Sequence, residues 1–171
     1  MLNKSPYKIP ISILVVIFNT KHEILLLKRV NSFNFWQSVT GSIDFEDEEL
    51  DIAAKREILE ETGIVLNDNK VINTCIESLK LNELSLYTLY NLNYSTEYEI
   101  FPQFRYRYEE DIHINQEHWF MLKVEENYPI NINAQEHTKY QWLTWQEAIK
   151  QCFSPSNAIA IQNIFNSLLL I

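Results

Sequence analysis

The stretch KREILEETG, residues 55–63, sets three carboxylates, Glu57, Glu60 and Glu61, within five positions of one another. On a helical wheel at about 100° per residue, Leu50, Ala53 and Ala54 form an apolar arc, and the three glutamates continue it toward the C-terminus. The stripe that should bury against a core thus changes from apolar to anionic partway along. Like charges three or four residues apart destabilise a helix by roughly 0.2–0.5 kcal/mol per pair, and desolvating the carboxylates is more unfavourable still. A hard divalent cation served by oxygen ligands removes both difficulties, which points to Mg2+, with Mn2+ as a substitute. The competing reading is a solvated acidic face with Lys55 and Arg56 as ion-pair partners. Continuity with the apolar stripe and the glycine at each end, Gly41 and Gly63, favour the metal.

Those acids need elements to hold them. The spacing predicts a helix from about Glu48 to Thr62, with the acids of DFEDEE near its positive end and Gly63 as its C-cap. ISILVVIF (11–18) and EILLLKR (23–29), separated by NTKH, read as a strand hairpin. FWQSVTG (35–41) reads as a short strand running into a glycine turn. The segment 71–101 carries leucines that suit strand or helix, and a strand-rich reading is adopted. EHWFMLKV (117–124) and KYQWLT (139–144) alternate as strands. TWQEAIKQC and SNAIAIQNIFNSLLL read as helices, the second capped at Ser156 or Asn157. Strands mixed with a few helices indicate an α/β or α+β domain, expected to occupy all of 1–171.

Composition narrows the partners. The net charge of -9 disfavours duplex nucleic acid and anionic membranes, although an acidic chain can bind an acidic substrate through bridging cations. Cys75 and Cys152 lack metal-type spacing and suit reduced thiols of a cytoplasmic protein. ISILVVIF is too short to span a bilayer and lacks a cleavage pattern for secretion. With only two glycines in the chain, other turns must use Asn, Asp, Ser and Pro.

The segment 41–64, GSIDFEDEELDIAAKREILEETGI, resembles the Nudix box, GX5EX7REUXEEXGU with U a bulky aliphatic residue. Gly41, Glu48, Arg56, Glu57, Ile58, Glu60, Glu61, Gly63 and Ile64 match. Six residues instead of five separate Gly41 from Glu48, which lengthens the loop before the helix. Further blocks, PISILVVIF, FWQSVTGS, EIF followed by FRYRY, EHWF, EHTKYQWL and SNAIAI, extend the likeness from Pro10 to Ile161, to a branch of the Nudix hydrolases that acts on a pterin triphosphate in folate synthesis. Residues of about 76–95 are extra relative to that branch.

The resemblance implies an α/β Nudix fold, an α/β/α sandwich around a mixed sheet with a catalytic loop-helix-loop. It implies Mg-dependent hydrolysis of dihydroneopterin triphosphate to the monophosphate and pyrophosphate. The runner-up is a Nudix pyrophosphatase for (deoxy)nucleoside triphosphates such as dATP, and a non-catalytic Nudix-fold binding module comes third. Glu57 and Glu61, one turn apart, are expected as the principal metal ligands. Glu60, Glu136 in the loop before HTKYQWL, and the Gly41 carbonyl are further candidates, with Glu117 as a rival to Glu136. Arg56 is expected to orient a carboxylate by a bidentate hydrogen bond. For substrate the resemblance implies Lys8, Arg29, Thr40, the run Tyr98, Glu99, Ile100 and Phe101, and Ser154 or Ser156, the latter explained equally well as a helix cap. Phe101, Phe104, Tyr106 and Tyr108 suit either ring stacking or core packing, and Trp36 and Trp142 suit the core. The chain is expected to be a monomer or small homo-oligomer acting on a small-molecule triphosphate.

Overall fold

A computed structural model describes residues 5–170. The first hairpin forms as its alternation predicts. Strand β1 (Ile11–Asn19) turns at residues 20–22 into β2 (Glu23–Arg29), antiparallel to it. Asn19 closes the turn by accepting hydrogen bonds from the backbone of Lys21 and Glu23 on its side-chain oxygen. β1 is buried over nearly its whole length, because it lies at the centre of the sheet and is covered on both faces.

The remaining strands are β3 (Trp36–Gln37), β4 (Val39–Ser42), β5 (Val71–Asn73), β6 (Leu89–Glu99), β7 (Ile114–Val124) and β8 (His137–Thr144). The eight form one mixed sheet in the order β3-β2-β1-β7-β6-β5, with β4 paired to β1 and β8 paired to β2. β7 runs parallel to β1, with Ser12 beside Glu117 and Leu14 beside Trp119. The alternation of β1 sorts the core into two layers. Leu14, Val16 and Phe18 meet helices α2 (Trp145–Gln151) and α3 (Pro155–Leu169), whereas Ile13, Val15 and Ile17 meet helix α1 (Leu50–Thr62). This is the mixed-sheet α/β architecture expected for a Nudix fold.

Some local expectations change. FWQSVTG does not end in a glycine turn. Gly41 lies within β4, paired with Ile13, and chain reversal is complete before it. The segment 76–95 is only partly strand: two short 3-10 turns, Ile76–Ser78 and Leu81–Glu83, precede β6, and the leucine spacing that suited both helix and strand serves these turns, where Ile76 and Leu79 are buried. The cap of α3 is Ser154 rather than Ser156 or Asn157. Pro155 takes the first helical position, where its missing N–H is no loss. Asn157 instead clamps Ser38, accepting from its backbone and donating to its hydroxyl, both at 2.8 Å. The helix after β8 does have its cap in sequence: Thr144 and Glu147 form a reciprocal capping box.

The scarcity of glycine shows in the backbone. Asn31 and Asn93 take positive φ, as turn-forming residues should, but so do His22 and Tyr87. Among the described residues no helix is long and apolar enough to cross a membrane.

Candidate active site

Helix α1 carries the acids. Its buried residues are Ala53, Ala54, Glu57, Ile58, Glu61 and Thr62, so the apolar stripe does become anionic in its second half. Gly63 ends the helix at φ 70, its N–H donating to the Leu59 carbonyl. A side chain there would cost roughly 1–2 kcal/mol for the left-handed backbone. Glu60 departs from the expected stripe: it is exposed at the rim, 3.6 Å from Arg56. The three acids therefore divide into a buried pair and an outer member.

Arg56 positions the pair from the side. Its Nη1 donates to Glu57 Oε1 at 2.7 Å, while Nε and Nη2 grip the two oxygens of Glu48 at 3.0 and 3.1 Å. Nη2 also donates to the Ser42 carbonyl, fastening the helix to β4. The bidentate hydrogen bond expected of Arg56 thus goes to Glu48, which also accepts from the Asp44 N–H and so ties down the lengthened loop before α1. That loop absorbs the extra residue without moving the carboxylates off the helix.

Gly41 has a steric role. A Cβ at this position would lie 2.1 Å from Glu57 Oε1 and 2.2 Å from its carboxyl carbon. The missing side chain is the space in which the Glu57 carboxylate rests. Gly41→Ala should therefore displace Glu57 and lower turnover at least tenfold while leaving the sheet intact, since Gly41 has no positive φ to lose. Steady-state kinetics with a circular dichroism spectrum check this. Wild-type turnover in that variant would show that Glu57 can act from another position.

Glu61 lies deepest, 1% exposed. Its Oε2 is 3.1 Å from His137 Nε2, and burial keeps that imidazole on the neutral side. When Glu61 is ionised, the neutral tautomer with the proton on Nε2 is the one that donates to the carboxylate and orients it. Glu136, the next residue back, is exposed in the loop before β8, where Asn133 Nδ2 donates to it at 3.3 Å. Ligand atoms of Glu61, Glu136 and His137 all lie within 4.8 Å of one another. A register shift between β2 and β8 at Lys28 and Arg29 sets His137 opposite Arg29 and delivers this corner to the helix.

The electrostatics follow from crowding. Burial first, then the neighbouring Glu61 charge, push the Glu57 carboxyl from 4.5 up to about 8. Burial and then Glu136 raise Glu61 well above its ordinary value. Carboxylates held this way fit a hard divalent cation by donor type, by proximity and by the stress that a positive charge would relieve.

Glu57, Glu60 and Glu136 open into a cleft of about 390 Å³, while Glu61 is buried off its wall; the lining also includes Lys8, Arg29, Thr40, Gly41, Tyr98, Ile100, Phe101 and Arg107. Most of the substrate residues expected from sequence therefore meet here. Glu99 does not: alternation at the end of β6 turns it outward, where it is exposed. Ser154 and Ser156 are also absent from the wall. They bond to each other at 2.9 Å, and Ser156 donates to Glu117 Oε1. Glu117 itself is 3% exposed, accepts from Trp119 Nε1, and stands on the α3 side of the sheet, so it does not compete with Glu136 for the acid cluster. Phe35, Phe101 and Phe104 lie on the wall, with Phe153 packed against Phe101 and stacked on Phe35 at 4.0 Å, so the first three rings form a cleft surface instead of interior packing. Two residues escaped the sequence reading. His137 had a faint signal, a histidine beside the candidate Glu136 at the head of a strand. Arg107 had none beyond lying in FRYRY.

A model of the NUDIX domain matches residues 8–164, and the chain belongs to the Nudix family. It is 35% identical to a dihydroneopterin triphosphate diphosphatase of Haemophilus influenzae, over 94% of this chain and 90% of that protein. It is 37% identical to the enzyme of the same name from Escherichia coli K12, over 91% and 92%. The solved structure of the E. coli dihydroneopterin triphosphate pyrophosphohydrolase superposes with a TM-score of 0.77 at 35% identity, covering 95% of this chain and 99% of that one.

Proposed function

We propose that this chain hydrolyses dihydroneopterin triphosphate to dihydroneopterin monophosphate and pyrophosphate, using Mg2+ held by Glu57, Glu61 and Glu136 with Glu60 at the rim. What carries the reading is one cleft in which a crowded acid cluster, cations with no carboxylate partner among the described residues (Lys8, Arg29, Arg107) and an aromatic wall meet, in a chain whose relatives bear that enzyme's name. A bound divalent ion would neutralise polyphosphate oxygens and the charge that develops on the bridging oxygen.

The protein's own groups supply the rest. Arg56 holds Glu57 in place, and His137 holds Glu61. Lys8 and Arg29 bind phosphate oxygens, Thr40 adds a hydroxyl, and Phe101 with Tyr98 offers a surface for a flat bicyclic ring. Glu136, exposed and bonded to Asn133 at 3.3 Å, would hold the ion through one carboxylate oxygen and take a proton from an attacking water on the other. The water oxygen adds to phosphorus as the bridging P–O bond breaks, and the electron pair leaves with pyrophosphate. Fixed geometry and charge account for most of the acceleration.

The test is pyrophosphate release from dihydroneopterin triphosphate against a panel of nucleoside triphosphates including dATP. We expect kcat/KM for the pterin to exceed that for dATP by at least about tenfold, a difference of roughly 1.4 kcal/mol in transition-state binding. Equal values would transfer the assignment to nucleotides while leaving the diphosphate chemistry in place.

A further inference from the structure

Besides Arg56, which is taken up by Glu48 and Glu57, three cations line the cleft, Lys8, Arg29 and Arg107, and among the described residues none of these three makes an ion pair with a carboxylate. They are nevertheless held close together. The Lys8 N–H donates to the Arg107 carbonyl at 2.8 Å, locking the two backbones side by side. The Arg29 and Arg107 guanidinium carbons lie 5.6 and 5.3 Å from the centroid of one ring, Phe104, in the 3-10 turn Pro102–Arg107. Arg29 also sits over Phe35, and Arg107 over Tyr106, whose hydroxyl accepts from Arg107 Nε at 3.1 Å. Water reaches Lys8, yet the protein mass around it and then the Arg107 charge push its ammonium pKa down. Like charges gathered without carboxylate partners, and steadied by a shared aromatic face, make a receptor for a polyanion.

Lys8 and Arg29 also feel the acid cluster, Lys8 through Glu57 and Glu136, and Arg29 through Glu136 and Glu61. Backbone pairing sets Arg29 at that acid corner, opposite His137 and with the neighbouring Val30 N–H donating to the Glu136 carbonyl at 2.8 Å, and Arg107 continues the row by sharing the Phe104 ring with Arg29. We propose that Arg29, Phe104 and Arg107 form a clamp for the outer phosphate of the chain, and that Arg107 is the residue that makes this cleft prefer a triphosphate to a diphosphate. This deepens the reading of the cleft as a triphosphate site and does not depend on the pterin. Phe104 is a positioning residue, acting through the two guanidinium groups it carries.

The test uses anions with no ring attached. Binding of tripolyphosphate and of pyrophosphate to the full chain is measured by titration calorimetry in chelator, so that neither pterin recognition nor metal loading enters. Arg107→Ala should weaken tripolyphosphate by at least about tenfold and pyrophosphate by less than about threefold. Arg107→Lys, keeping charge but losing the planar group over Phe104, should fall between Arg107→Ala and wild type. Phe104→Leu, keeping both cations, should weaken tripolyphosphate more than pyrophosphate. Melting temperatures confirm folding, and Arg107→Gln, which keeps the stem over the ring, replaces the alanine variant if that one unfolds. Unchanged tripolyphosphate binding, or equal loss for both anions, would overturn the proposal. A chain that preferred dATP to the pterin yet lost tripolyphosphate on Arg107→Ala would refute the substrate and keep the clamp.

Discussion

Glu61→Gln should lower turnover on the order of 10²–10³-fold while the protein stays folded and, free of metal, gains stability at alkaline pH. Glu61 is enclosed beside Glu57 and Glu136, so its negative charge is unfavourable to the fold wherever no cation compensates it. Glutamine keeps the shape and an oxygen that can accept from His137 Nε2, so the hydrogen bond at this corner survives. The charge that recommends the residue for holding a cation is lost. Activity should therefore fall as chelated-state stability rises, a combination that simple damage to the core cannot produce. Paired measurements of kcat and of melting temperature in chelator decide the matter. Near-normal turnover in the variant would sink the metal-holding role of Glu61.

The metal-free protein should lose stability as pH rises from about 5 to about 8, and Mg2+ should restore it most at the upper end. The sign follows from the raised carboxyls. Glu57 titrates at 4.5 when exposed but at about 8 in the fold, and Glu61 is displaced in the same direction. Between those values the folded chain holds protons that the unfolded chain has released. The stabilisation these groups contribute is complete below the unfolded value and disappears as pH passes through the folded one. A divalent cation binds the deprotonated carboxylates, so its effect on stability grows as their protons leave. Thermal melts with chelator and with excess Mg2+ across this window give the result directly. An Mg-induced shift in melting temperature independent of pH would show that the ion binds away from Glu57 and Glu61.

Much of the fold was legible without coordinates because the signals are local. The hairpin 11–29 follows from two apolar runs around a polar break. Helix α1 follows from periodicity ending at a glycine, and TWQEAIKQC reads as a helix even without its Thr144–Glu147 capping box, which the structure supplied. The acidic continuation of the α1 stripe depends only on 3.6-residue geometry, so the Glu57–Glu61 pair could be picked out from spacing. Elsewhere local preference was ambiguous or was overruled. Leucines at 79–92 fit two periods equally well; Leu79 and Leu92 are buried in the α3 layer and Leu89 in the α1 layer, and the segment forms 3-10 turns leading into β6. Ser156 and Asn157 are good caps by residue type, yet Pro155 moved the helix start and freed both side chains to bond to Glu117 and Ser38.

By itself, then, the sequence determined that this chain carries a Nudix helix with two carboxylates one turn apart, since pattern and spacing along a single element need no knowledge of neighbours. Only tertiary structure decided what faces that helix. Gly41 looked like a turn and is instead a space for the Glu57 carboxylate, which requires β4 to lie beside α1. His137 reaches Glu61 across 76 positions through a register shift between two strands, and Arg107 joins Arg29 on one aromatic ring. Such meetings are set by strand pairing and packing between distant segments, and side chains brought together that way leave no spacing in the chain by which to recognise them.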